Sequence, residues 1–237
     1  MSQEQSGKAP LIEVRDVERV YHQGEVEVRA LRGVNLRIEA GEFSALAGPS
    51  GSGKTTLLNM VGCLDSPTSG EVLVEGEAIS GMTRSEAAEY RLGHIGFVFQ
   101  AYNLIPVLTA WENAEFVLLM QGVGLEERHS ILDPLFERVG LADYKDRKPH
   151  EMSGGQQQRV AVVRALGSRP KIVLADEPTA NLDSATSASL LELMAELNEE
   201  RGVTFVFSTH DEMVIERAHR VVRLDSGCVV GDERRDV

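Results

Sequence analysis

The 237-residue chain reads as an α/β fold. The expected architecture is a core with a mostly parallel central sheet, an antiparallel β region at the N-terminal side and an inserted helical subdomain. Three observations carry that expectation. KIVLADEP (171–178) and VTFVFSTH (203–210) are short continuous apolar runs, as in strands buried on both faces of a parallel sheet. Leu190, Leu191, Met194 and Leu197 stand between them at helical spacing, so strand and amphipathic helix alternate. From Leu11 to Glu75, LIEVRDVERVY, LRGVNLRIE and GEFSALAG concentrate β-branched and aliphatic residues, with turn signals at Gly24, Ala40-Gly41 and Ser69-Gly70.

Along the chain, residues 1–10 (MSQEQSGKAP) are polar with no apolar stretch, which predicts a disordered N-terminus and no secretory leader. The segment from about Ser85 to Gly167 reads as mostly helical, interrupted at Gly122, Gly124, Pro149 and Gly154-Gly155. It supplies the inserted subdomain, about residues 85–165. Gly202 ends the helix that follows KIVLADEP. VVRLDSGCVV reads as a hairpin turning at Ser226-Gly227, and the charged stretch Gly231–Val237 as a loose tail. Residues 11–230 then form one domain. In open sheets of this kind ligands bind at the carboxyl ends of the strands, so functional residues should gather along one edge.

Composition excludes several functions. The longest apolar stretches, FVLLM (116–120) and VTFVF (203–207), fall far short of the roughly 20 residues a membrane helix needs. A net charge of −13, from 24 basic and 37 acidic residues, opposes nucleic acid as a partner and opposes direct lipid binding. A membrane location would therefore depend on a protein partner. Cys63 and Cys228 lack CxxC spacing, which argues against a zinc site or a disulfide framework and suits a reducing cytoplasm.

GPSGSGKT (48–55) matches G-x-x-x-x-G-K-[ST] in full, after a strand-like run and before TLLNMVG, a plausible helix. Gly48, Gly51 and Gly53 let the backbone wrap tightly, while Pro49, Ser50 and Ser52 complete the loop and Thr56 opens the helix. Successive N–H groups and the helix N-terminus can then face phosphate oxygens. Lys54 would neutralise the β- and γ-phosphates of ATP, and the Thr55 hydroxyl would join the Mg²⁺ shell. This loop alone leaves kinases, GTPases, helicases and transport ATPases open. IVLADE (172–177) ends an apolar strand in two carboxylates: Asp176 for Mg²⁺, and Glu177 to orient or deprotonate water. General-base assistance of that kind is worth about 10² to 10⁴ in rate. SGGQQQR (153–159) offers a second helix N-terminus, with Ser153, Gly154, Gly155 and Gln156 positioned to meet phosphate.

With SGGQQQR, the chain resembles the ABC ATPases from about Leu11 to Val230, and the resemblance assigns further roles. Gln100, in IGFVFQ, matches the glutamine that senses Mg²⁺ and water and moves with the permease. His210, in STHD, matches the histidine that contacts the γ-phosphate. Asp183, in ANLD, matches the aspartate that crosses the dimer interface, and Tyr21 the aromatic that stacks on adenine. The family implies a head-to-tail, ATP-dependent dimer of two copies, the signature of one closing over the nucleotide of the other. It also implies integral membrane permease subunits, with the cassette peripheral on the inner face of the cell membrane.

Residues 95–113, 152–161 and 174–183 are similar to the lipoprotein-releasing and macrolide-exporting branch, the LolD and MacB type. Ala180, Ser208 and His219 depart from that branch without touching a catalytic position. The expected function is ATP hydrolysis powering such a permease. The alternative is an ABC ATPase regulating a membrane-anchored cell-envelope or division complex without moving cargo. A soluble repair or translation ATPase fits poorly, since those carry two cassettes or long insertions. LIPVL (104–108) lies where the family meets its permease, and reads equally as a docking patch or as core.

Overall fold

Strands β1 (Ile12–Gln23) and β2 (Val26–Ile38) form a long antiparallel ribbon. In β2 the apolar residues Val34, Leu36 and Ile38 turn inward while their neighbours face solvent, a period-2 pattern that needs only one covered face, and Leu31 is also buried, one residue out of step across a register shift. β4 (Ser69–Val74) and β5 (Glu77–Ala78) extend the ribbon into a four-stranded antiparallel sheet, order β2-β1-β4-β5. This is a computed structural model, and it describes residues 9–24 and 26–235. Most of the N-terminus expected to be disordered, residues 1–8, lies outside the described residues.

The larger sheet has the order β10-β9-β3-β8-β7-β6. β3 (Phe43–Ala47), β6 (Ile95–Phe99), β7 (Ile172–Asp176), β8 (Thr204–Thr209) and β9 (Arg220–Asp225) run parallel; β10 (Cys228–Arg234) joins the edge antiparallel. The central strands β3 and β8 are buried along their whole length, as their continuous apolar sequences require. Helix α1 (Lys54–Val61) packs between the two sheets, burying Leu57, Leu58 and Met60 against Val14, Leu36 and Leu174. Helices α3 (Ala110–Met120), α4 (Leu125–Arg138), α5 (Gly154–Gly167), α6 (Ser184–Arg201) and α7 (Glu212–Arg217) build a second core with Phe43, Phe205 and Phe207 at its centre. Local signals set the helix ends. Thr109 with Glu112, and Ser153 with Gln156, are capping boxes; Gly202 (φ +65) closes α6 in the left-handed conformation.

Three expectations need correction. The helical segment 85–165 is interrupted: α2 (Arg84–His94) leads into β6, a five-residue strand in the main sheet. Five apolar residues are too few for periodicity to distinguish strand from helix. Ser69-Gly70 is not a turn but the start of β4, opposite a register shift in β1 between Arg15 and Glu18. A Cβ on Gly70 (φ +85) would lie 2.3 Å from the Asp16 carbonyl oxygen, so the glycine serves a bulge. Finally, Gly231–Arg234 is not loose; it continues β10, where Asp232 and Glu233 pair with Val222 and Val221. Arg220, 7% exposed, donates to Asp232 at 2.8 and 2.7 Å and to Glu42 at 3.0 Å. A buried guanidinium demands such carboxylates, and they tie the tail down.

Candidate active site

After β3 the chain wraps through residues 48–53 into α1. Glycine is required twice by close approach: a Cβ at Gly48 would lie 2.1 Å from the Leu224 carbonyl oxygen, and one at Gly53 (φ +104) 2.6 Å from that of Ala30. The β9–β10 turn, Ser226 (φ +48) and Gly227 (φ +82), braces this loop: the Gly227 amide donates to the Ser52 carbonyl at 3.0 Å. No side chain caps the start of α1, which leaves its first amides available to an anion. Lys54 is 6% exposed and donates to the carbonyls of Gly48 (2.8 Å) and Pro49 (3.0 Å), keeping its ammonium inside the loop. Ser52 Oγ is buried without a hydrogen-bond partner.

The carboxyl ends of β7 and β8 meet this loop. Thr55 Oγ1 donates to Asp176 Oδ1 at 2.9 Å, joining the first turn of α1 to the end of β7. Glu177, the next residue, is a non-glycine with φ +45. Its amide donates to the Ser208 carbonyl at 2.8 Å, and its carboxylate accepts the Thr209 hydroxyl at 3.1 Å. His210 Nδ1 completes the set, 2.7 Å from Glu177 Oε1. The departure at Ser208 therefore lies beside the site: its carbonyl holds Glu177, while its buried hydroxyl has no partner.

A cleft of about 530 Å³ joins these groups. Among the predicted residues, Tyr21, Ser50, Gly51, Gly53, Lys54, Thr55, Thr56, Gln100, Asp176, Glu177 and His210 line it. Gly48, Pro49 and Ser52 support it from behind. Val28, Arg29 and Ala30 also line it and were missed. Val28 pairs with Tyr21 across the ribbon and is 44% exposed, an apolar side chain next to an aromatic at the cleft mouth. Only the strand register links it to the site, and its place in sequence carries no signal.

Ser153, Gly154, Gly155, Gln156 and Asp183 do not line this cleft. Ser153 caps α5, which begins at the two glycines. Added Cβ atoms there would lie 2.6 Å from Tyr102 Oη at Gly154 and 2.4 Å from Thr186 Cγ2 at Gly155. Asp183 caps α6, and the Thr186 hydroxyl and amide hold its carboxyl below the usual carboxylate range. The two helix starts thus lie side by side, outside the lining of the cleft. Gln100 follows β6; its carbonyl accepts from Asn181 at 2.9 Å. Just beyond it, Tyr102 (φ +60) is held by Arg164 of α5, which donates to the Tyr102 carbonyl at 2.9 Å. Helix α5 therefore starts at Gly154-Gly155 and, near its end, holds the segment after Gln100 through Arg164.

The ABC transporter family model matches residues 31–180. The chain belongs to that family. It is an ATP-binding, ATP-hydrolysing cassette of an ABC transporter. An uncharacterized ABC transporter ATP-binding protein of Thermotoga maritima is 48% identical, covering 96% of this cassette and 97% of the relative. A macrolide export ATP-binding/permease protein, MacB, of Syntrophobacter fumaroxidans is 46% identical over 92% of the cassette, which spans 31% of that relative's length. Among solved structures, the dimeric post-hydrolysis state of the cassette MJ0796 bound to ADP and Pi has a TM-score of 0.88 and 42% identity, covering 95% of this chain and 100% of that one. The MacB likeness supports the expected branch and favours transport over the regulatory alternative. Among the described residues no helix is long and apolar enough to cross a membrane.

Proposed function

We propose that the cassette hydrolyses ATP in a head-to-tail dimer and drives a MacB-type permease that moves cargo out of or off the membrane. The observation that carries this is the split between the two phosphate-binding helix starts. The cleft holds Lys54, Thr55, Asp176 and Glu177, but residues 153–156 do not line it. A second copy, turned head to tail, would bring its Ser153 and glycines over the first copy's nucleotide. The MJ0796 cassette, dimeric and bound to ADP and Pi, supports by likeness a dimer of two such copies.

In this reading the backbone amides of residues 51–55 and the Lys54 ammonium bind the phosphates. The Thr55 hydroxyl and Asp176 carboxylate, 2.9 Å apart, with Gln100 on the same wall, are hard oxygen donors of the kind Mg²⁺ prefers. Mg²⁺, when bound, neutralises charge on the transferring phosphate. Glu177 accepts a proton from the attacking water, and His210 orients Glu177 and meets the γ-phosphate. Tyr21 and Val28 offer the base a flat, apolar face. The net charge of −13 does not oppose ATP, since local ammonium and amide groups set the field in the cleft.

The same charge supports a cassette that reaches the inner face of the cell membrane through its permease. Ile105, Pro106 and Val107 of the LIPVL run are exposed while Leu104 packs on the core, so the segment contributes to the core and leaves apolar surface that a permease would cover. A tagged cassette should co-purify with an integral membrane protein bearing four membrane helices and a large extracytoplasmic domain, with its Mg²⁺-ATPase retained. Spontaneous binding of the cassette alone to protein-free anionic vesicles would contradict attachment through a partner.

A further inference from the structure

We infer that Asp65 and Arg19 are positioning residues for the nucleobase, acting through Tyr21. Asp65 Oδ2 accepts the Tyr21 hydroxyl at 2.7 Å, and its Oδ1 accepts Arg19 Nη2, also at 2.7 Å. The Arg19 guanidinium in turn lies over the Tyr21 ring, 4.5 Å from its centroid. Arg19 and Tyr21 are two residues apart on β1 and share one face of the strand. One face of the ring is therefore covered by a cation and its hydroxyl is fixed by a carboxylate. All three side chains are partly buried, so the contacts are shielded from competing water. An exposed tyrosine on a ribbon edge would otherwise lose rotamer freedom on meeting a base.

Asp65 belongs to the turn that leaves α1, and its amide donates to the Asn59 carbonyl at 3.2 Å. The neighbouring Thr68 is sewn to β1 through Val20 N–H to Thr68 Oγ1 at 3.0 Å. The helix that starts with Lys54 at the phosphates thus ends in the carboxylate that aims the base platform. That fixes the distance between the two ends of the nucleotide site. This rests on Tyr21 meeting the base, which is part of the proposed function.

The test compares KM for ATP with the affinity for inorganic tripolyphosphate, which has no base, in five proteins: wild type, Tyr21→Ala, Asp65→Ala, Asp65→Asn and the double variant of the two alanine substitutions. Base–aromatic stacking is worth about 1–3 kcal/mol, so Tyr21→Ala should raise KM about tenfold. Asp65→Ala should raise KM about fivefold at nearly unchanged kcat, leave tripolyphosphate binding intact, and add nothing in the Tyr21→Ala background. Asp65→Asn, which still accepts the hydroxyl, should recover part of the loss. If Asp65→Ala leaves KM within about twofold while Tyr21→Ala raises it, the positioning role is wrong and the base platform stands. If Asp65→Ala weakens tripolyphosphate as much as ATP, the residue merely supports α1 and the inference fails. A Tyr21→Ala protein with wild-type KM overturns the platform and the inference together.

Discussion

His210 Nδ1 sits 2.7 Å from Glu177 Oε1, so the two residues expected at the γ-phosphate already hold each other. Thr209 donates to the second carboxylate oxygen at 3.1 Å. The carboxylate is oriented by two donors. His210→Ala should therefore lower ATP turnover about 10²-fold, the scale of a lost general-base arrangement, while ATP affinity stays within about threefold. Single-turnover hydrolysis alongside a binding titration checks this. Wild-type turnover in the variant would show that Glu177 needs no partner.

Glu177 pays for its position in the backbone, with φ +45. A left-handed non-glycine residue costs on the order of 1 kcal/mol or more. Glu177→Ala and Glu177→Gly remove the same side-chain contacts, but only glycine relieves the backbone. Both variants should be inactive. Glu177→Gly should melt about 2–4 °C above Glu177→Ala, as expected for about 1 kcal/mol in a domain of this size. Equal melting points would mean the conformation carries no strain.

Lys54→Ala should weaken ATP binding about tenfold or more, because charge-assisted hydrogen bonds contribute about 1.5–3 kcal/mol. It also removes the donor that ties the carbonyls of Gly48 and Pro49 together. Nucleotide titration measures this, and affinity within about threefold of wild type would contradict the cradle.

The motifs were legible because each is a short, local device: residues 48–55 turn and wrap, IVLADE is a strand with a polar end, and Ser153 with Gln156 is a capping box. The alternation of buried strand and helix was legible for the same reason. What the sequence hid depends on distant contacts. β6 is too short for periodicity and is recognised only by its pairing with β7. Gly231–Arg234 looked loose because it is charged, and the partner that holds Asp232, Arg220, lies across the ladder. Val28 reaches the cleft only through strand register, and Asp65 reaches Tyr21 only through a turn contact.

The corrected tail has a pH signature. The Arg220 guanidinium beside Asp232 holds its carboxyl below the usual carboxylate range. A depressed folded-state pKa contributes stability above the unfolded value, and that contribution is lost as pH falls through the folded value. Asp232→Asn should therefore be less stable than wild type at pH 7, and the gap should close as pH drops below about 4. Urea unfolding at both pH values checks it. A gap that persists in acid would assign the loss to packing rather than to the ion pair.

The composite site is tested most directly by the ATP-held dimer of Glu177→Gln, which should bind ATP, hydrolyse it slowly and elute as a dimer in gel filtration. Adding Gly155→Asp should abolish that dimer, because it puts a negative charge on the helix start that would meet the γ-phosphate of the opposite copy, where like charges repel. ATP affinity at subunit concentrations too low to dimerise should stay within about threefold, since residues 48–55 of the same chain are untouched. Any side chain at 155 crowds Thr186 Cγ2, so Gly155→Ala in the same background separates charge from bulk and should retain more dimer. The account predicts lost dimer with intact monomer binding. Monomer affinity damaged as badly as by Lys54→Ala would place residues 153–156 in their own chain's site and contradict it.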